Sequence, residues 1–320
     1  MSIEIKFFIS LALIVGSSLA GYFARQTGLV REAAARGIMT QVSVVGYPVV
    51  GFIAIWQIPL HGAVAWLPLL GGLQATLMAL LALWFGRRLL PDRAERGMVG
   101  FCCGIGNHGV TMAGFVIYLL FGNMGLGITT VYNIYTFFAF VLLSFTIAQA
   151  YAPDAPRCSI VRLLLKNLLN WRAAGLYACL VAILFSVCGL PVPDLVARLR
   201  VMDIAVCFVI CGAYFGIGLR LHIPNMLGIG RAIGVMLVVR HLVGPLIGLS
   251  LAGLTWLTPW PVTGLALKVV LIQSSVPVGV MGVAVANMFH LRPQEASALF
   301  IVSSVVYLIF GIPVVMWLFG

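Results

Sequence analysis

The sequence predicts an all-α membrane protein of ten transmembrane helices, arranged as two inverted five-helix repeats with crossing broken helices at spans four and nine. Three observations carry that expectation. The 320-residue chain is 62% hydrophobic and 8% charged, with a mean hydropathy of +1.13, where a soluble domain holds about 45–50% apolar and about 25% charged residues. Its apolar stretches divide into ten segments long enough to cross a bilayer. Two of those segments are broken near their middles, and Gly109 in one break lies 170 residues before Gly279 in the other.

A span needs about 20 mostly apolar residues. In chain order the segments are roughly 5–24, 37–56, 63–85, 98–121, 126–150, 172–189, 203–220, 232–256, 264–290 and 295–319. The first reads as a span rather than a cleaved signal, because Glu4 precedes it, Arg25 follows it, and it is too long for a signal's apolar core. Segments one to five make up a first repeat over 1–150. A polar connector fills 151–171, where Pro153 and Pro156 are followed by Ser159 to Leu169, a stretch that can lie flat on the membrane surface as an amphipathic helix. The second repeat occupies 172–320.

The net charge of +11 is distributed as a topology signal. Arg25, Arg31 and Arg36 follow span one, and Arg87, Arg88, Arg93 and Arg96 follow span three. Arg157, Arg162, Lys166 and Arg172 separate spans five and six, Arg220 and Arg231 follow seven, and Arg292 follows nine. The opposite face carries Lys6, Arg198 and Arg200. Short basic loops stay cytoplasmic, so both termini are expected outside. This pattern argues against a nucleic-acid partner and leaves a minor attraction to anionic membrane lipid. A repeat with an odd number of spans must place its second copy upside down. The charges agree, because the first loop of the first half is basic and that of the second half, at about 190–202, is on the sparse side.

The breaks hold the residues most able to bind something. A membrane helix interrupts itself only where protein or a polar cavity covers the freed backbone, and interrupted spans at matching places of two halves point to a transporter's binding site. In the first break, Gly104, Gly106 and Gly109 weaken the helix and allow close backbone approach. Asn107 supplies both a carbonyl and an amide donor, and can cap a half-helix starting near Gly109. The second break runs Gln273, Ser274, Ser275, Val276, Pro277, Val278, Gly279. Pro277 has no N–H and clashes with the preceding turn. Ser274 and Ser275 can satisfy freed backbone groups or face a ligand, and Gly279 opens the second half-helix. Two half-helix N-termini meeting at mid-membrane would favour an anion. The alternative is a pair of ordinary kinks, since Gly and Pro are common in membrane helices.

Other polar residues bear on the same site. His108 can relay a proton or donate to a carboxylate, or simply bridge two helices. Of the charges inside spans, Arg240 is the deepest, and it serves either as an anion ligand or as a structural partner; its neighbour His241 points to another helix face. Lys268 sits near an outer end where it can snorkel, and Asp203 suits an interfacial anchor. Paired membrane carboxylates are absent, so coupling to protons or sodium, left open, would use unwound carbonyls, Asn107, Ser274, Ser275, Gln273 or His108. Cys102, Cys103, Cys158, Cys179, Cys188, Cys207 and Cys211 form no CxxC pair and read as packing residues, with no metal or cofactor expected. There is no HExxH and no GxSxG in the right context, and Cys102 or Cys103 with His108 is the one nucleophile–base candidate, so an enzyme is not expected. A non-transporting membrane sensor would need an output domain, for which the spans leave no room.

Several stretches resemble the auxin efflux carrier family, bacterial permeases related to the plant PIN proteins. They are Gly21-Tyr22 with Gly28-Leu29, Gly106 to Gly109, Gly216 to Leu221, Arg240 to Pro245, and Gln273 to Pro277 continuing to Ala286. Ala296-Ser297, Ser303-Ser304 and Pro313 fit the family's last span. The resemblance implies a secondary transporter of a small organic anion such as a mono- or dicarboxylate. Spans three to five and eight to ten would move as an elevator against the rest, with Asn107 and Pro277 as crossover residues. It implies a multi-pass protein of the plasma (bacterial inner) membrane, whose partners are the anion and lipid, with a homodimer left open. The chain departs from the family where Gly-x-Pro usually follows the asparagine: here Val110 to Gly114 stand instead. The sodium-coupled bile-acid symporters share the architecture and are the rival resemblance.

Overall fold

The computed structural model describes residues 3–152, 159–221 and 228–320. Of the expected connector, Pro153, Pro156, Arg157 and Cys158 lie outside those residues. The described chain is helical. In order, its main helices are α1 (Phe7–Gln26), α2 (Ala34–Trp56), α3 (Gly62–Leu89), α4 (Arg93–Gly104), α5 (Ala113–Tyr135), α6 (Leu142–Tyr151), α7 (Ile160–Leu168), α8 (Ala174–Val187), α9 (Val201–Leu219), α10 (Gly230–Leu257), α11 (Gly264–Ser275), α12 (Val280–Met288) and α13 (Pro293–Phe319). Seven of them (α1, α2, α3, α5, α9, α10 and α13) are long and apolar enough to cross a membrane, which makes this a multi-pass membrane protein.

One element differs from the sequence expectation, and one long helical run is interrupted where the expected spans four and five part. The segment read as span six, 172–189, contains an α-helix of only 14 residues. That is about 21 Å at 1.5 Å per residue, against a hydrocarbon core of about 30 Å. A tight Trp171–Ala173 turn occupies one end and Gly189, with φ 67°, turns the chain at the other. The run α5 is not straight. Gly122 has φ 63° and ψ −152°, a backbone conformation open to glycine and costly for other residues. The chain therefore reverses between the segments read as spans four and five.

Among the described residues π-turns occur at Ala12–Gly16, Val42–Gly46, Phe140–Phe145, Val238–Val243 and Tyr307–Gly311. The fourth lies in α10 and contains Arg240 and His241. The widened turn displaces the local ladder, a feature concentrated at functional positions.

The helices sort into two packed groups. In one, α9 lies along α1 and α2, and α8 lies along α2. There glycine permits close approach, since a β-carbon on Gly21 would meet the Phe215 carbonyl and one on Gly218 the Ser18 carbonyl. In the other, α3 packs on α4, α10 on α11 and α3, α12 on α13, and α4 on α6. Helix α5 bridges the groups, touching α2 on one side and α11 on the other.

Ionic contacts tie the beginnings of α4 and α13. Asp92 caps α4, its Oδ2 accepting from Glu95 N at 2.9 Å. The same carboxylate pairs with Arg292 Nε at 2.8 Å, while Arg292 Nη1 donates to Glu295. Burial pushes the Asp92 carboxyl up, but the Glu95 amide and the Arg292 guanidinium outweigh it and hold it below the usual carboxylate value. A carboxyl lowered in the fold adds stability above its unfolded value of about 3.9, and that stability is lost as pH falls through the folded value. Asp92→Asn should lower the thermal unfolding midpoint of the detergent-solubilised protein at neutral pH. The gap should close in acid, which a pH series of unfolding midpoints measures.

Candidate functional site: two broken helices joined at their breaks

Helix α4 stops at Gly104 because Ile105 turns extended, at φ −105° and ψ 107°. Helix α11 stops at Ser275 because Pro277 forces the residue before it out of the helical region, and Val276 accordingly sits at φ −64° and ψ 154°. The two freed strands run antiparallel to each other. Asn107 N donates to Pro277 O at 2.8 Å and Gly279 N donates to Ile105 O at 2.8 Å, with Gly106 opposite Val278. Each break thus satisfies backbone groups of the other. Glycine is required on both sides of this contact. A β-carbon on Gly279 would come within 2.7 Å of Gly106 O, and one on Gly106 would overlap the Arg240 guanidinium and the His108 ring.

The unwound segments are displaced from their expected places. Gln273, Ser274 and Ser275 remain in the last turn of α11, where the serine hydroxyls donate to Leu271 O at 2.7 Å and Ile272 O at 2.9 Å. Those bonds hold the serines to their own helix, so the second break is Val276–Gly279. The first break extends through Met112, and its half-helix begins at Ala113 instead of near Gly109. The Asn107 side chain does not cap that helix directly: its Oδ1 accepts from Thr111 Oγ1 at 2.7 Å. The first amides of α5 fold back onto the break, Met112 N and Gly114 N to Gly109 O and Ala113 N to Asn107 O. An anion at this helix start would meet its dipole and neighbouring side chains rather than those amides.

Arg240 joins both breaks from behind. It is fully buried. Nε donates to Val276 O at 3.0 Å, Nη1 to Cys103 O at 3.0 Å, and Nη2 to Val276 O and Pro277 O. Among the described residues no carboxylate forms an ion pair with it. Its partners are the carbonyl ends of α4 and α11. Each helix C-terminus carries roughly half a negative charge, so two of them together match one guanidinium.

Around the junction the polar groups are linked in order. Gln273 Nε2 donates to His108 O at 3.1 Å, which leaves Gln273 Oε1 to accept from His108 Nδ1 at 2.8 Å. Asn133 Nδ2 also donates to His108 O, at 2.8 Å. The rings of Tyr132 and Tyr135 back the imidazole at centroid distances of 6.0 and 5.9 Å. Tyr132 donates to Gln74 Oε1, and Gln74 Nε2 reaches Gly244 O at 3.5 Å. On the second break, Val278 N donates to Ser303 Oγ at 3.1 Å. Residues 108 and 133, and 278 and 303, are pairs of separation 25, and a shift of 170 carries one pair onto the other.

The structure therefore brings Asn107, His108, Gly109, Gln273, Pro277, Gly279 and Arg240 together, with Ser274 and Ser275 one turn away. His241 joins them too, its Nδ1 lying 3.0 Å from Ser275 O. Tyr47 lies against Gly109 beside Thr111, and Tyr214 donates to Met112 Sδ at 3.9 Å. Lys268 and Asp203 stand apart. Lys268 lies over the Phe121 ring at 5.5 Å, and Asp203 accepts from Tyr118 and pairs with Arg200 at 2.7 Å. Gln74, Asn133 and Tyr132 were not singled out from the sequence, and His241 was expected on another helix face. A buried amide such as Gln74 inside an apolar span was the available signal.

Arg240→Ala would leave the Cys103 and Val276 carbonyls without their guanidinium donors, while Pro277 O keeps Asn107 N, and each buried group left unsatisfied costs about 1–3 kcal/mol. The expected result is a large fall in the unfolding midpoint, with Arg240→Lys intermediate because its ammonium cannot span both helix ends.

A family model described as membrane transport protein matches residues 6–317, nearly the whole chain. A search of curated proteins finds no match to it. The chain belongs to this membrane transport protein family, that of the auxin efflux carriers.

Proposed function

We propose that the chain is a secondary active transporter of a small organic anion, a mono- or dicarboxylate, working by elevator-like alternating access. The observation that carries this reading is the junction itself, where two interrupted helices meet through their unwound segments with a buried cation between their C-terminal ends. Discontinuous helices of this kind supply dipoles and unpaired backbone at a substrate site. With the carbonyl ends turned onto Arg240, the helix starts at Ala113 and Val280 are the ends left to face cargo, and they favour negative charge. Asn107 contributes the side-chain ligand in this reading. His108, Gln273, Pro277 and Gly279 hold the shape, Gly109 keeps the approach open, and Ser274 and Ser275 close the end of α11.

The two packed groups support the elevator. The set α3, α4, α6 and α10 to α13 holds both breaks, with α5 attached, and would slide against α1, α2, α8 and α9. The paired contacts at a common shift of 170 support ten spans in two inverted repeats. The arginine-rich loops support a cytoplasmic position for that face, with both termini outside.

The test is malonate counterflow in proteoliposomes. Asn107→Ala removes a polar contact to a charged ligand worth about 1.5–3 kcal/mol, and should cut flux by about tenfold or more, with the unfolding midpoint close to wild type. Unchanged flux in that variant would exclude Asn107 as a ligand.

A further inference from the structure

A polar cavity lies along α2, apart from the two breaks. It has a volume of about 500 Å³ and is lined by Arg36, Met39, Thr40, Ser43, Val44 and Arg220. That size falls within the roughly 300–1,000 Å³ of small-molecule sites. Arg36 and Arg220 both line it; among the described residues no carboxylate forms an ion pair with Arg36, and Arg220 has a contact of its own. Two like charges facing one cavity raise its potential and favour a compact oxyanion, which arginine binds in bidentate fashion.

The two hydroxyls that line it behave differently. Thr40 Oγ1 donates to Arg36 O at 2.8 Å and Ser43 Oγ donates to Met39 O at 2.8 Å, so both hydroxyl protons are already used. Only lone pairs remain there, and these do not hold an anion. The guanidinium groups therefore attract an anion, and the hydroxyls that line the cavity with them add no free donor to hold it.

Its position gives that asymmetry a direction. Residues 36, 40, 43 and 47 are spaced by four, three and four, which places them on one stripe of α2. Tyr47 at the end of this stripe lies against Gly109 and Thr111, and Thr111 donates to Asn107. The stripe thus runs from the two arginines to the first break.

We propose that this cavity is a capture site for a soluble carboxylate, in which Arg36 and Arg220 collect the anion on the face of the arginine-rich loops and release it along α2 toward Tyr47 and Asn107. The identity of the cargo rests on the transporter reading above; the anion selectivity of the cavity does not.

Two experiments separate them. Thr40→Cys places a thiol in the cavity of the full-length protein, and its labelling by a negatively charged methanethiosulfonate is compared with that by a positively charged one. The ratio, normalised to a free thiol and corrected for the parent protein, should favour the anionic reagent several-fold. Adding Arg36→Ala and Arg220→Ala should abolish that preference. A ratio equal to that of a free thiol would overturn the proposal whatever the cargo is. So would a preference seen in phosphatidylcholine liposomes and lost in phosphatidylglycerol, because a lipid headgroup would then fill the cavity.

For malonate presented from the arginine-rich face, Arg36→Ala and Arg220→Ala should each raise KM roughly two- to fivefold, as for an exposed ion pair. The change should leave kcat untouched, shrink at high salt, and be largely reversed by Arg36→Lys. A fall in kcat at constant KM would overturn the proposal. Absence of malonate flux in the wild type would count against the cargo, while the labelling ratio still decides the cavity.

Discussion

Inside a bilayer a backbone group released from a helix has no water to turn to, and everything at the centre of this molecule follows from how that demand is met. Two helices are opened, and each supplies hydrogen-bond partners for the other through Asn107 N to Pro277 O and Gly279 N to Ile105 O. Neither break is satisfied in this way without its counterpart. Glycine at 106 and 279 is the steric condition for the contact, and proline at 277 fixes where the second helix must stop.

Charge balance at the junction explains how the chain tolerates so few acidic groups. An unpaired cation buried in a protein costs several kcal/mol. Arg240 avoids that penalty by donating to the carbonyl ends of two helices, whose summed partial charge is comparable to its own. A carboxylate partner would neutralise the arginine outright and place a full negative charge beside the site. Carbonyl ends satisfy the guanidinium without adding that negative charge.

Much of this was legible in the sequence. The apolar runs identified a helical membrane protein, the short motifs from Gly106 to Gly109 and from Gln273 to Pro277 identified the family, and the clusters of Gly, Asn, Ser and Pro marked both interruptions. The exact limits were not legible. Ser274 and Ser275 extend α11 because their hydroxyls bind their own carbonyls, a choice that composition does not reveal. Arg240 could be recognised as buried, but its partners lie 36 and 137 residues away in sequence, and local pattern says nothing about which carbonyls it meets. The gap between spans four and five was legible at 122–125, and the positive φ of Gly122 shows how the chain turns there. His241, expected on another face, reaches Ser275 because the π-turn at 238–243 rotates the face it presents.

The position of Arg240 in the chain also bears on how the protein is made. The carbonyl of Cys103 enters the membrane long before its guanidinium partner is synthesised, and the carbonyls of Val276 and Pro277 arrive later still. No local helix pair can complete the junction during synthesis. Until the second half docks, the first break has its own turn at Gly109 to Gly114 to hold it. Maturation then ends in one long-range closing step, and a nascent chain arrested before residue 240 carries an unfinished helix end that quality control can recognise.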